Sequence, residues 1–253
     1  MQIVVVQMDM AWQDKLTNHE KVRQLLADVT IDENALVILP EMFDTGFSMD
    51  LAETPQTDSR ESEKFVRQLA ADLGAAVLAG VTAPLLNGCS ANEAVAFAPD
   101  GTELVRYHKM QPFTPSGEDE KYGAGSVHQI FSWQGIKISP FICYDLRFPE
   151  VFRPAALAGA ELIPVIASWP QARSEHWVRL LQARAIENQA FTVGVNRCGT
   201  DPSFGYDGRS TAFDPQGVCL FEANGDEQVC IIDIDIDLVR NWRAQFPALR
   251  DCK

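Results

Sequence analysis

The number of short apolar runs constrains this chain most, because each run must be buried and together they are too many for one sheet. Residues 2–8, 35–40 and 75–81 are near-continuous apolar segments of strand length. Between them lie two helical patterns. Thr17 opens the first, with Glu20 completing a capping box and Val22, Leu25, Leu26 and Val29 on one face. The second runs over 58–73 with Phe65, Leu69 and Leu73 at helical spacing. From Ala91 the pattern changes to strands joined by tight turns. Pro99-Asp100-Gly101 links one pair, and Gln134-Gly135 links 127–133 to 136–142. After Cys143 the chain turns at Pro149 into an Ala-rich helix ending near Gly159, followed by a strand at 161–167 and a helix at 174–188. Strands at 191–196, 209–214, 218–222 and 228–235 close the pattern, with Asp214-Pro215-Gln216-Gly217 as a turn. The economical solution is an α/β fold of two sheets packed face to face with helices outside. No repeat, low-complexity tract or Gly/Ser linker interrupts it, so residues 1–253 read as a single domain.

Charge narrows the partners. Acidic groups outnumber basic ones 35 to 21, for a net charge of -14, with no Lys/Arg cluster, so nucleic acid and anionic membrane are not expected to bind. The N-terminus reads as a first strand and not as a signal peptide, and no apolar run reaches the roughly 18 residues of a spanning helix. Six cysteines lie scattered without CxxC pairs, which suits a reducing, cytoplasmic setting.

Cys143 sits where the apolar strand ending in Phe141-Ile142 gives way to a turn and then a helix, the arrangement of a nucleophile elbow without its glycines. A helix N-terminus there would lower the thiol's pKa, and the next backbone N–H could hold an oxyanion. Taken alone, a lone strand-end cysteine is more often core. Glu41 directly follows the run Ala-Leu-Val-Ile-Leu-Pro, at the strand end where α/β active sites gather and where burial suits a general base. Lys109 follows another strand among Tyr107, His108, Pro112 and Phe113, and could stabilise an oxyanion or be a surface lysine. Glu118 and Glu120 share a loop rich in breakers, of a kind that lines sites. There is no HExxH, Walker A or GxGxxG sequence, and His108 and His176 lack metal-ligand spacing, so neither metal nor cofactor is expected.

The order Glu, Lys, Cys and its local contexts resemble the nitrilase superfamily of carbon-nitrogen hydrolases over nearly the whole chain. The matching pieces are Ile38-Leu39-Pro40-Glu41-Met42-Phe43, Tyr107-His108-Lys109, Ile142-Cys143-Tyr144-Asp145-Leu146-Arg147-Phe148-Pro149-Glu150 and Ala183-Arg184-Ala185-Ile186-Glu187-Asn188, and Gly205-Tyr206-Asp207-Gly208-Arg209-Ser210 before Phe213-Asp214-Pro215-Gln216-Gly217 is similar to the family's late strand and turn. The resemblance implies a four-layer α-β-β-α sandwich with two mixed sheets, which agrees with the strand count. It also implies Glu41 as base, Lys109 as oxyanion partner, Cys143 as nucleophile and Glu118 as the additional glutamate. The Cys-Tyr-Asp-Leu-Arg-Phe-Pro-Glu stretch is similar to the ω-amidase and deaminated-glutathione amidase branches. A linear amide such as 2-oxoglutaramate is then the expected substrate, cleaved through a thioester, with deaminated glutathione as the nearer rival and a non-catalytic binding protein as the remoter one. A distal carboxylate would need a cation, Arg173 or else Arg147, unless Arg147 pairs with Glu150. Tyr144 offers its backbone N–H, and Phe43, Phe47, Phe113, Tyr122 and Trp169 are the expected walls. The resemblance further implies a homodimer.

Overall fold

The computed structural model describes residues 1–84 and 86–252. In chain order the first half contains β1 (Gln2–Gln7), α1 (Lys15–Leu26), β2 (Leu36–Ile38), α2 (Glu61–Leu73), β3 (Ala76–Thr82), β4 (Asn92–Phe97), β5 (Glu103–His108) and the short α3 (Glu118–Lys121). Next come β6 (Phe131–Trp133), β7 (Ile136–Ile138), β8 (Phe141–Ile142), α4 (Pro149–Leu157), β9 (Leu162–Ala167) and α5 (Ser174–Asn188). The chain continues through β10 (Phe191–Asn196), β11 (Cys198–Thr200), β12 (Gly205–Asp207), β13 (Thr211–Phe213), β14 (Cys219–Glu222), β15 (Gln228–Asp233) and α6 (Asp237–Gln245).

Two mixed sheets result. One has the order β15-β1-β2-β3-β4-β5, and the other β14-β13-β10-β9-β7-β6 with β8 also paired to β9. The near-continuous apolar runs have a simple cause: both faces of the first sheet are covered. Ile3, Val5, Leu36, Ile38 and Leu78 pack inward against Ile138, Leu162, Val165 and Val193 of the second sheet. Their neighbours Val4, Val6, Val37, Leu39 and Val77 face outward onto Val22 and Leu26 of α1 and Phe65, Val66 and Leu69 of α2. Across the second sheet, Val151 and Phe152 of α4 and Trp177 and Leu181 of α5 complete the fourth layer. The layers are therefore α-β-β-α, as the resemblance implied.

Several local readings change. Asp14, not Thr17, caps α1: its carboxylate accepts the Thr17 backbone N–H at 3.1 Å and the Thr17 hydroxyl at 2.8 Å, so Thr17 lies inside the first turn. The expected strand over 136–142 divides at Ser139-Pro140 into β7 and β8, because Pro140 has no N–H to give a ladder. The hairpin β11–β12 and the helix α6 were not expected. The first hides in a segment of turn-forming residues. The second lies in a strongly polar segment and buries little beyond Val239. No described helix is long and apolar enough to cross a membrane.

Candidate active site

Four chain segments leave the C-terminal ends of strands from both sheets and meet. Glu41 follows β2, Lys109 follows β5, Cys143 follows β8 and Ser168 follows β9. The pairing of Ile142 with Ile166 sets Cys143 beside Ser168, and the Cys143 Sγ lies 3.9 Å from the Ser168 carbonyl oxygen. Glu41 is seated from the other side by β3. A side chain added at Gly80 would place its Cβ 2.5 Å from the Glu41 Cα, so only glycine lets the two backbones approach this closely. Cys143 itself adopts φ 46°, in the left-handed region, at the start of a single 3₁₀ turn spanning Cys143–Arg147. A non-glycine residue held there marks the elbow as strained, which sequence alone could suggest but not show.

Glu41, Lys109 and Glu118 are closed off from solvent, at 0%, 1% and 0% exposure, whereas Cys143 retains 8% and is the member of the set that opens outward. Lys109 Nζ donates to Glu41 Oε1 at 2.8 Å and to Glu118 Oε1 and Oε2 at 3.0 and 2.8 Å. Phe113 N–H donates to Glu118 Oε2 at 2.6 Å, and Ser168 N–H donates to Glu41 Oε2 at 2.8 Å. Glu120, the alternative to Glu118, is exposed. Asn92, which sequence gave no reason to single out, donates to Glu41 Oε1 at 2.8 Å and to Glu118 Oε1 at 2.9 Å. Buried charges survive only when paired and hydrogen-bonded, and here every carboxylate oxygen has a donor.

Electrostatics follow from this enclosure. Burial opposes the Lys109 charge, but the Glu118 and Glu41 carboxylates outweigh it and hold the ammonium well above its ordinary pKa. Burial, with Glu41 next to it, pushes the Cys143 thiol well up. The expectation of a helix-lowered thiol is corrected: one 3₁₀ turn cannot offset full desolvation beside a carboxylate. The group is therefore held as a thiol. Asp145 is buried beneath the elbow and raised to about 7 by burial, even though it accepts from Tyr107 Oη at 2.8 Å, Ile142 N at 2.9 Å and Gln111 N at 2.8 Å. It thereby ties the strand that delivers Lys109 to the strand that delivers Cys143.

Cys143 opens into a narrow cavity. Phe47, Phe113, Tyr144 and Trp169 form walls, and Phe204 and Tyr206 reach in from the unexpected β11–β12 hairpin. Two cations line it. Arg147 lies 4.8 Å from the Trp169 ring and contacts His176 Nδ1 at 3.2 Å. Arg173 lies 5.3 Å from the Phe113 ring. Neither guanidinium forms an ion pair among the described residues, and Arg147 does not pair with Glu150. Burial and the facing charge of Arg173 lower the Arg147 pKa. Two of the expected walls lie elsewhere. Phe43 stacks on His19 and Phe65 in the outer layer, at 5.7 and 5.8 Å, and Tyr122 is sealed by hydrogen bonds to Thr54 Oγ1 and the Ser48 carbonyl at 2.6 and 2.8 Å. No group of three or more His, Cys, Asp or Glu side chains among the described residues could hold a metal, and His108 pairs with Glu93 at 2.8 Å, away from Cys143.

A thiol, a carboxylate and an ammonium thus meet, enclosed, at the ends of two packed sheets. Residues 2–244 match the carbon-nitrogen hydrolase family, and the chain belongs to that family. It is 33% identical to the omega-amidase YafV of Yersinia enterocolitica, covering 99% of this chain and 96% of that one. It is 32% identical to a 2-oxoglutaramate amidase of Bacillus subtilis, covering 86% and 85%. Among solved structures, XC1258 of Xanthomonas campestris, a CN-hydrolase superfamily protein, is 33% identical with a TM-score of 0.92, covering 100% of this chain and 97% of that one.

Proposed function

We propose that this chain, as one hydrolase domain over residues 1–253, is an ω-amidase that cleaves the terminal amide of a small dicarboxylic acid monoamide. 2-Oxoglutaramate, yielding 2-oxoglutarate and ammonia, is the leading substrate. Glu41 Oε1 is occupied by Lys109 and Asn92, so Oε2, with one lone pair beyond its bond from Ser168, is the oxygen that takes the Cys143 proton. The sulfur attacks the amide carbon. The oxyanion is held by the Tyr144 backbone N–H and by the Lys109 ammonium, which turns one of its two Glu118 bonds toward it. Glu41 returns the proton to nitrogen, the C–N bond breaks and ammonia leaves an acyl thioester on Cys143. Glu41 then takes a proton from water, the hydroxide adds to the thioester, the C–S bond breaks, and the acid departs as the thiol is reprotonated. Glu118 orients Lys109 throughout. Neither metal nor organic cofactor enters this scheme.

The observation that carries the substrate reading is the pair of unpaired guanidiniums, Arg147 and Arg173, in an otherwise aromatic cavity next to Cys143. Such a cavity suits an amide at one end and a carboxylate at the other. Ammonia release from 2-oxoglutaramate, deaminated glutathione and a neutral amide of matching length tests it. Preference for 2-oxoglutaramate, abolished by Cys143→Ala, supports the reading. Preference for deaminated glutathione moves the assignment to the neighbouring branch, and equal activity of the Cys143→Ala variant removes the mechanism. We further infer a cytoplasmic homodimer joined across α4 and α5, where Leu157 and Ile186 stand exposed. Light scattering of the purified protein checks the dimer.

A further inference from the structure

Asn92 begins β4, and its backbone is tied to the site before its side chain is considered: the Asn92 carbonyl accepts the Lys109 N–H at 2.9 Å. The side chain is buried, and its amide nitrogen spends one hydrogen on each carboxylate, 2.8 Å to Glu41 Oε1 and 2.9 Å to Glu118 Oε1. The orientation follows from chemistry. Exchanging nitrogen for oxygen would set a carbonyl against two carboxylate oxygens, with repulsion in place of two charge-assisted bonds. The amide oxygen, Oδ1, has no partner among the described residues, so the two donated bonds are what hold the group.

We propose that Asn92 is a positioning residue that sets the basicity and the working oxygen of Glu41. It is the neutral counterpart of Lys109: both donate to the same two carboxylates, but Asn92 does so without adding charge. A second cation there would add charge to the cluster, whereas an apolar side chain would leave Glu41 Oε1 and Glu118 Oε1 to Lys109 alone. By filling Oε1 from a second direction, Asn92 leaves Oε2, with one lone pair beyond its bond from Ser168, as the oxygen with room for the thiol proton. The charged and titratable groups acting on Glu41 are Lys109 after β5, Glu118 on α3, Cys143 after β8 and Tyr122 after α3. Asn92 is the uncharged member of that surround.

The inference rests on Glu41 being the base, and its test separates the two claims. The rate of Cys143 alkylation by iodoacetamide is measured against pH in the intact protein, alongside kcat/KM for amide hydrolysis. Alkylation reads thiol deprotonation without requiring amide turnover, and Glu41→Gln, which should abolish its acid limb, checks the base. In Asn92→Leu the acid limb of both profiles is expected to move up by about one pH unit, because one donor to a buried carboxylate is lost. Asn92→Asp, of unchanged size, is expected to move it further. A folded variant with an unmoved limb and a rate lowered equally at every pH would make Asn92 merely structural and overturn the inference. If Asn92→Leu does not fold, the same two outcomes are read from Asn92→Asp.

Discussion

The two ends of the site are built on opposite terms. Around Glu41, Lys109 and Glu118 the chain is dry, and every carboxylate oxygen is matched to a donor. Past Cys143, the cavity is walled by buried Trp169 and Tyr206 and by partly exposed Phe47, Phe113, Tyr144 and Phe204, and its two cations have no carboxylate partner among the described residues. The difference separates the tasks. Proton transfer needs groups locked to a fraction of an ångström, which saturation supplies, whereas recognition needs unsatisfied charge that the substrate completes. Damage at the first end should therefore appear in kcat, and damage at the second in KM.

The sharpest break comes from the closed end. Glu41→Gln keeps the shape but cannot accept the thiol proton, and kcat is expected to fall ~10³-fold or more with KM little changed, in steady-state ammonia assays. Gly80→Ala reaches the same oxygen through the backbone. The Cβ contact at 2.5 Å must push Glu41 off its seat, and a loss of ~10²-fold in kcat is expected, with retained circular dichroism confirming the fold.

Asp145 joins the two ends and brings a pH dependence. Its carboxylate serves three donors, so protonation as pH falls through about 7 loosens the tie between the Lys109 and Cys143 segments, and kcat should drop on that side. Stability runs the other way. A carboxyl whose folded pKa lies above the unfolded 3.8 holds a proton that the unfolded chain has released, so its contribution to stability declines as pH rises from about 4 to about 7. Thermal midpoints across that window should show the slope, and Asp145→Asn should remove it.

At the open end the effects shrink and change character. Arg173→Met or Arg147→Met is expected to raise KM for an acid-ended amide about tenfold while leaving a neutral amide of the same length nearly unaffected, which competition assays would resolve.

How much of this was visible beforehand follows the same division. The bounds of α5 and β10, Ser174–Asn188 and Phe191–Asn196, were readable because apolar period and breakers agree there. That Glu41, Lys109 and Cys143 come together was readable because each lies just past a strand and sits in a distinctive local string. Asn92 was not. It opens an ordinary strand, and its importance comes from register, since the ladder sets it against Thr82 one residue before the Glu93–His108 pair. Phe43 and Tyr122 were misplaced for a related reason: nearness along the chain to a catalytic residue says nothing about side-chain direction, and both turn into packing. Phe204 and Tyr206 could not be placed because their hairpin reads as loop until Asp201 Oδ1 accepts the Ser203 and Phe204 N–H groups and shapes its tip.

The proposed reaction turns on a covalent intermediate on one thiol among six. Mass spectrometry of the protein quenched in acid during turnover of 2-oxoglutaramate should find the acyl group on the peptide containing Cys143, absent from Cys143→Ala. Ammonia release that continues with Cys143 unmodified, or at an undiminished rate in Cys143→Ala, would contradict it.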